Sequence, residues 1–286
     1  MSLEDNILEY KHLEYKGKVV FEKLVMANIK RVPKLFYGEE ACFIYLKEGS
    51  YKLRTPEVLL HSNVGNGLLM KCGNYFFEQK KEDHKKSSKV QTTVAHLYPE
   101  IIKELFDFDL SISDFETDYD AKTVDTKPLM KSFMDSMVFL LDNPSVCNES
   151  MLKVKLKEFI LLLSKTENAP SLLSFLSSLF KPYEYSFKQI IDKNLYASLS
   201  LPELARLCNM SISTFQREFK KAFEQTPAQY ILDQRMIKAK RLLGNKNERI
   251  SEIAYNCGYE SMSTFNRVFK KYFDCSPSEF RLTKIE

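Results

Sequence analysis

The eleven residues STFQREFKKAF at 213–223 carry, at fixed spacing, side chains suited to holding a polyanion and discriminating along it. On a helix turning about 100° per residue, Phe215, Phe219 and Phe223 fall on one apolar stripe. Ser213, Thr214, Arg217 and Lys221 point away from that stripe, with Gln216 and Lys220 on one flank. Arginine offers a planar fork of donors that suits guanine, an amide pairs with adenine, and lysine neutralises phosphate. Fifty residues on, STFNRVFKKYF at 263–273 matches eight of the eleven positions, so Ser263, Thr264, Asn266, Arg267, Lys270 and Lys271 repeat that chemistry at the same offsets. A solvated helix face accounts for the lysines but not for the return of an arginine and an amide at the same two places.

Stepping outward, the match extends to residues 201–231 and 250–281, with 13 identities over 31 aligned positions and Glu260 as one inserted residue. Each copy opens with a short amphipathic helix, LPELARLC or ISEIAYNC, followed by Asn209 or Gly258 where a left-handed residue ends a helix. Ser211 and Ser261 then stand as N-caps of the next helix. The pattern is helix, tight turn, helix, twice. Only two copies occur, too few for a solenoid, which needs about three. Between them PAQYILDQRMIKAKRLLG predicts a helix started by Pro227 and ended by Gly244. About 16 residues span roughly 24 Å, which with half the width of each flanking unit approaches the roughly 34 Å between successive turns of a groove.

At this point the tandem arrangement, closing with ISEIAYNCGYESMSTFNRVFKKYFDCSPSEFR, resembles the DNA-binding domain of AraC/XylS-type bacterial transcription regulators over roughly residues 186–282. The IAxxCGY turn, the STFxRxFKKxF helix and the SPSEFR ending stand in that family's order. The resemblance implies seven helices, two helix-turn-helix units and recognition helices in adjacent major grooves. It implies base-reading positions at Ser213, Thr214, Gln216 and Arg217 in the first unit and at Met262, Ser263, Asn266 and Arg267 in the second, with Lys220, Lys221, Lys270 and Lys271 left for phosphate. The chain departs from the family at Asn209, where glycine is common, a change the left-handed site tolerates.

Charge follows the repeat. The 286-residue chain has a net charge of +4, yet from Ser186 onward 17 Lys and Arg face 11 Asp and Glu, against 25 and 27 before it. A basic third attracts polyanions while the remainder need not touch them. Six cysteines show no CxxC pair or zinc spacing, which fits reduced thiols in a cytosol. MSLEDNILEY lacks a basic start with an apolar stretch, and FILLL at 159–163 is too short to span a bilayer. The expected location is the bacterial cytoplasm, on the nucleoid, with no membrane contact.

The front of the chain predicts strands at KVVFEKLVMANI, ACFIYLKEG, SYKLRT, EVLLHSN, GLLMKCGNYFFEQ and KVQTTVAHLY, punctuated by Gly49, Pro56, Gly65, Gly67 and Gly73. Tight hairpins in an all-β barrel follow, with VGNG the clearest turn. The resemblance implies a cupin-like sensor barrel here that binds a small molecule or a protein. Seven carboxylates between Asp107 and Asp125 predict a solvated linker or loop. Three helical stretches follow, with stripes Leu129, Phe133, Met137, Leu140 and Leu152, Leu156, Phe159, Leu163 that either dimerise the chain or cover the barrel. The expected fold is α+β in two domains. Residues 1–180 form the cupin-like sensor and dimerisation domain (barrel about 18–110, helices about 127–180), and 186–286 form an all-α domain of two helix-turn-helix units joined by a long helix.

Enzyme chemistry finds no motif. His12, His61, His84 and His96 are scattered with no HxH, so no metal-dependent cupin site is expected. GxSxG, HExxH and phosphate-cradling glycine loops are missing. Cys42 and Cys72 do not supply the zinc-bound cluster of an alkyl-transferring DNA-repair protein. No catalytic residue, metal or cofactor is expected. The chain reads as a sequence-specific DNA-binding regulator, an activator before a repressor, homodimeric, acting with RNA polymerase at promoter DNA under an unidentified small-molecule or protein effector. A repressor, or an effector-independent DNA-binding protein, is the alternative.

Overall fold

The computed structural model describes residues 6–27, 31–33, 40–71, 73, 75–78, 89–107, 117, 119–126, 128–166, 171–180, 186–245 and 248–283. His84, Cys72 and most of the acidic run therefore lie outside the described residues. Contacts divide the chain into two compact units, Met1–Glu184 and Tyr185–Glu286.

The first unit carries β1 (Ile7–Tyr15), β2 (Lys18–Ala27), β3 (Arg31–Pro33), β4 (Ala41–Glu48), β5 (Tyr51–Arg54), β6 (Leu59–Ser62), β7 (Asn66–Met70), β8 (Phe76–Glu78), β9 (Lys89–Leu97) and β10 (Ala121–Asp125). Its helices are α1 (Pro99–Phe106), α2 (Pro128–Asp142), α3 (Glu149–Ser164) and α4 (Leu172–Leu179). Six strands form one antiparallel sheet in the order β1-β2-β9-β4-β7-β10, and four form a second in the order β3-β8-β5-β6.

Side chains alternate across a strand, and here both faces of the six-stranded sheet are covered. Phe21, Phe43, Tyr45, Ala95 and Leu97 point to one face, where α1 to α4 cover them. Cys42, Ile44, Leu68, Met70, Val90 and Val94 point to the other, against Tyr51 and Leu53 of the second sheet. Covering both faces makes β4 an unbroken apolar run, ACFIYL, rather than an alternating one. Gly67 serves this packing: a Cβ there would stand 2.2 Å from the Phe43 ring.

Three sequence expectations change. Lys16 and Gly17, both at positive φ, close a two-residue hairpin between β1 and β2, and β1 precedes the expected start of the strands. VGNG does turn, with Gly65 at φ 87 and its N–H donating to Leu46 O at 3.0 Å, but it carries the chain from one sheet to the other rather than closing a hairpin. The acidic stretch is not all linker, because Ala121–Asp125 pairs antiparallel with β7.

The apolar stripes of α2 and α3 also resolve. Phe133, Met137, Leu140, Leu152, Leu156, Phe159 and Leu163 are buried within the first unit, so these residues cover the sheet and cannot form a dimer seam. Leu129 alone of the two stripes is exposed. Phe139 on α2 and Val154 and Leu161 on α3 stay in solvent.

The second unit contains α5 (Phe187–Asn194), α6 (Leu201–Leu207), α7 (Ile212–Phe223), α8 (Pro227–Leu243), α9 (Ile250–Asn256), α10 (Met262–Phe273) and α11 (Pro277–Thr283). These are seven helices among the described residues, and α8 is the connecting rod, 17 residues or roughly 25 Å long.

Candidate nucleic-acid interface

The repeat is reproduced at the level of single hydrogen bonds. Ser211 Oγ accepts from Thr214 N at 3.2 Å and Ser261 Oγ from Thr264 N at 3.3 Å, so both outward-facing helices start on the same serine cap. Asn209 at φ 54 and Gly258 at φ 82 take the left-handed stop of the preceding helices. Both outward helices also end alike, on Glu224 at φ 59 and Asp274 at φ 58. These punctuation marks fix where each helix begins and therefore which side chains share its outward face.

Beneath that face lies the phenylalanine ladder. Phe215 and Phe219 are fully buried, with ring centroids 5.6 Å apart, and Phe223 stacks 4.5 Å from Phe219 at the edge. Phe265, Phe269 and Phe273 repeat the arrangement at 5.6 and 4.6 Å. Phe187 from α5 closes on the first ladder and Phe280 from α11 on the second. Pinning one side of α7 and α10 in a core leaves the opposite side for a partner.

On that opposite side Ser213, Gln216, Arg217, Lys220 and Lys221 are exposed, and so are Ser263, Thr264, Asn266, Arg267, Lys270 and Lys271. The Arg217 side chain is 73% exposed, its Nε 3.5 Å from Glu218 Oε1, a surface pair that yields readily to a stronger anion. Two expected readers differ from the rest. Thr214 is half-buried and its Oγ1 receives the Ser211 hydroxyl at 2.9 Å. Met262 is half-buried and packs against the core that holds Phe265 and Phe269, whereas Ile212 at the matching place is exposed. Cys208 and Cys257, beneath the turns, have thiols that burial pushes up to about 12 and about 11. They are packing groups.

In the first unit the fold gathers residues that stand far apart in the sequence. His96 is buried between two buried carboxylates, its Nε2 3.3 Å from Glu22 Oε1 and its Nδ1 3.8 Å from Glu40 Oε2. Burial, then the nearby Glu22 carboxylate, pushes the Tyr10 phenol up to about 12, and burial with Glu40 raises Tyr98 further. Among the described residues no group of three or more His, Cys, Asp and Glu is placed to hold a metal ion. The signal for this cluster was available in part: Glu22 and His96 both lie on the inner phase of alternating strands, but only the pairing of β2 with β9 brings them together. His12 borders this cluster, standing across from Glu22 in the β1–β2 ladder with its ring 5.2 Å from that of Tyr10, whereas His61 is exposed.

No helix among the described residues is long and apolar enough to cross a membrane. Residues 204–283 match a family described as a helix-turn-helix domain, and residues 41–175 match one described as the ExsA N-terminal regulatory domain. The virulence regulon transcriptional activator VirF of Yersinia enterocolitica is 29% identical over 161 residues, covering 55% of this chain and 58% of that protein. The transcriptional regulator ExsA of Pseudomonas aeruginosa is 27% identical over 108 residues, covering 38% and 39%. The chain spans about half the length of the curated relatives it matches. A solved structure of fatty-acid-bound ToxT from Vibrio cholerae aligns with 94% of this chain and 96% of its own at 16% identity, with a TM-score of 0.38.

Proposed function

Because the chain belongs to the AraC-type family of helix-turn-helix regulators, we propose that it is a sequence-specific DNA-binding transcription activator whose α7 and α10 enter adjacent major grooves of promoter DNA. The observation that carries this is the pair of matched outward faces, each an arginine, an amide and two lysines set over a buried phenylalanine ladder. Ser213, Gln216, Arg217, Ser263, Asn266 and Arg267 are the readers. Lys220, Lys221, Lys270 and Lys271, a turn further along each helix, take the backbone phosphates. Thr214 and Met262 contribute at the margin, since both side chains are half-buried.

The first unit is the cupin-like regulatory part, supported by its two facing sheets and covering helices. It takes a small-molecule or protein effector that binds one arrangement of the chain better than another, which is the only way a ligand can shift the population. Homodimerisation proceeds through the exposed Phe139, Val154 and Leu161 rather than through the buried stripes. The site of action is the bacterial cytoplasm, with RNA polymerase as the downstream partner.

The test is selection of bound duplexes from a randomised library by the full chain, followed by affinity measurement from low to moderate salt. A two-part consensus is expected, with log affinity falling linearly as log salt rises because phosphate contacts release counterions. Recovery of no consensus, or salt-independent binding, would overturn the reading.

A further inference from the structure

The two helix-turn-helix units meet across the connecting rod, and at that joint Arg235 donates three hydrogen bonds to backbone carbonyls where Lys238 and Ser198 each donate one. Arg235 lies in the middle of α8 and spends its planar fork on three backbone carbonyls. Its Nε donates to Leu195 O at 3.0 Å, its Nη2 to Ala197 O at 2.6 Å and its Nη1 to Gly258 O at 3.2 Å. Its guanidinium carbon sits 5.6 Å from the centroid of the Tyr259 ring. Leu195 and Ala197 belong to the segment leading from α5 into the first helix-turn-helix, and Gly258 is the turn of the second. One cation therefore ties the entrance of the first reading head, the rod and the turn of the second.

Neighbouring contacts tighten the same joint. Ser198 Oγ donates to Gly258 O at 3.0 Å. Lys238, one turn further along α8, donates to Asn256 O at 2.7 Å and lies 3.6 Å from the centroid of the Tyr196 ring. Carbonyls at the C-terminal end of a helix have no partner within it and favour a cation, so the end of α9 receives its cations from the rod. Gly258 allows the approach: a Cβ there would lie 2.6 Å from Tyr196 O and 3.0 Å from the Arg235 guanidinium carbon. The first copy has Asn209 at this place, at φ 54. The difference between the copies thus marks which turn is pressed against the other unit.

Arg235 is poorly suited to any role but this one. Burial lowers its pKa, so its charge is retained against a desolvation cost by the three carbonyls and the tyrosine ring. A fork of fixed shape on three carbonyls also specifies direction, which a lysine could not do.

We propose that Arg235 is a positioning residue that sets the separation and phase of α7 and α10, so that the protein accepts only one spacing between the two halves of its operator. This rests on the DNA-binding reading above. Without the clamp the heads remain joined by α8 but become independent binders, and the second head engages with a lower effective concentration at any one spacing.

The test uses the full chain and an operator selected from a randomised duplex library, remade with two base pairs inserted or removed between its halves, and with one half scrambled. Wild-type protein is expected to bind the altered spacings at least about tenfold more weakly than the native one. Arg235→Ala is expected to compress that ratio to within about threefold while keeping its affinity for the half-scrambled duplex. Arg235→Lys keeps a cation and most of the buried stem, and Gly258→Ala attacks the joint from its other side; both should compress the ratio too. Should Arg235→Ala fold poorly, electron-resonance distances between nitroxides at positions 220 and 270 of Arg235→Lys supply the readout. A distribution broader than wild type is expected. Unchanged spacing selectivity, or an unchanged distance distribution, would overturn the clamp. Failure of wild-type protein to bind any duplex would instead overturn the DNA-binding reading.

Discussion

Arg217 and Lys221 sit one turn apart on the outward side of α7, both exposed, and differ in what they can tell apart. A planar fork distinguishes guanine from other bases, while an ammonium on a flexible stem meets any phosphate. Arg217→Ala is expected to cost about 1–3 kcal/mol and to relax preference at one base position, and Lys221→Ala to weaken all sequences alike and lower the salt slope by about one contact. Competition against a randomised operator library measures both; a uniform loss for Arg217→Ala would show that this arginine holds phosphate only. Arg267→Ala should damage specificity less, because its neighbour Met262 is partly withdrawn into the core. Gly258 and Asn209 make a second residue pair. Gly258→Ala forces a Cβ into Tyr196 O at φ 82 and should destabilise by about 2 kcal/mol or more, whereas Asn209→Ala brings no new atom near the backbone and should cost less, about 1 kcal/mol for a left-handed alanine. Denaturant midpoints measured on the two variants check the order. The caps and stops were legible in the sequence, since Ser, Asn and Gly act on their immediate neighbours. The second reason for Gly258 was not, because Tyr196 lies far away along the chain.

Among the elements, α7 and α10 were legible because a stripe of phenylalanines every four residues has no strand interpretation. Strand β10 was not: AKTVD borders a run of carboxylates, and its pairing with β7 is decided by tertiary contact. Strand β1 was missed for a related reason, since ILEYKHLEY is only half apolar and is held by its hairpin to β2. The helices α2 and α3 showed their stripes plainly, but amphipathic spacing does not say whether an apolar face meets its own sheet or a second copy. The helices of the second unit also come with built-in reporters. Cys208 and Cys257 are buried under the two turns with thiols pushed up, so alkylation at pH 8 requires the unit to open. Both thiols are expected to react at one common rate in wild-type protein and at separate rates in Arg235→Ala. Peptide mass analysis along a labelling time course would reveal two rates in wild type if the halves opened independently.

For the molecule as a whole, the exposed Phe139, Val154 and Leu161 give the dimer proposal a direct test. Val154→Asp with Leu161→Asp should leave the fold intact, since neither side chain is buried, and should convert dimer to monomer in sedimentation. Unchanged mass would place the contact elsewhere. Division into two units was legible from the jump in charge balance at Ser186, because electrostatic function leaves a compositional trace, whereas the layering of two sheets under four helices was not, because several distant strands must meet to create it. The two outward faces, finally, are alike but not the same: Gln216 stands where the second copy has Asn266, and Ile212 where it has Met262. On the DNA-binding reading proposed above, each chain spells two different words in a fixed order, so the stretch that one chain covers has no mirror. Each protomer would then lie on its stretch like an arrow, facing upstream or downstream. Reversing the selected operator in front of a reporter promoter should leave affinity unchanged while abolishing activation, and equal activation in both orientations would show that the arrow does not exist.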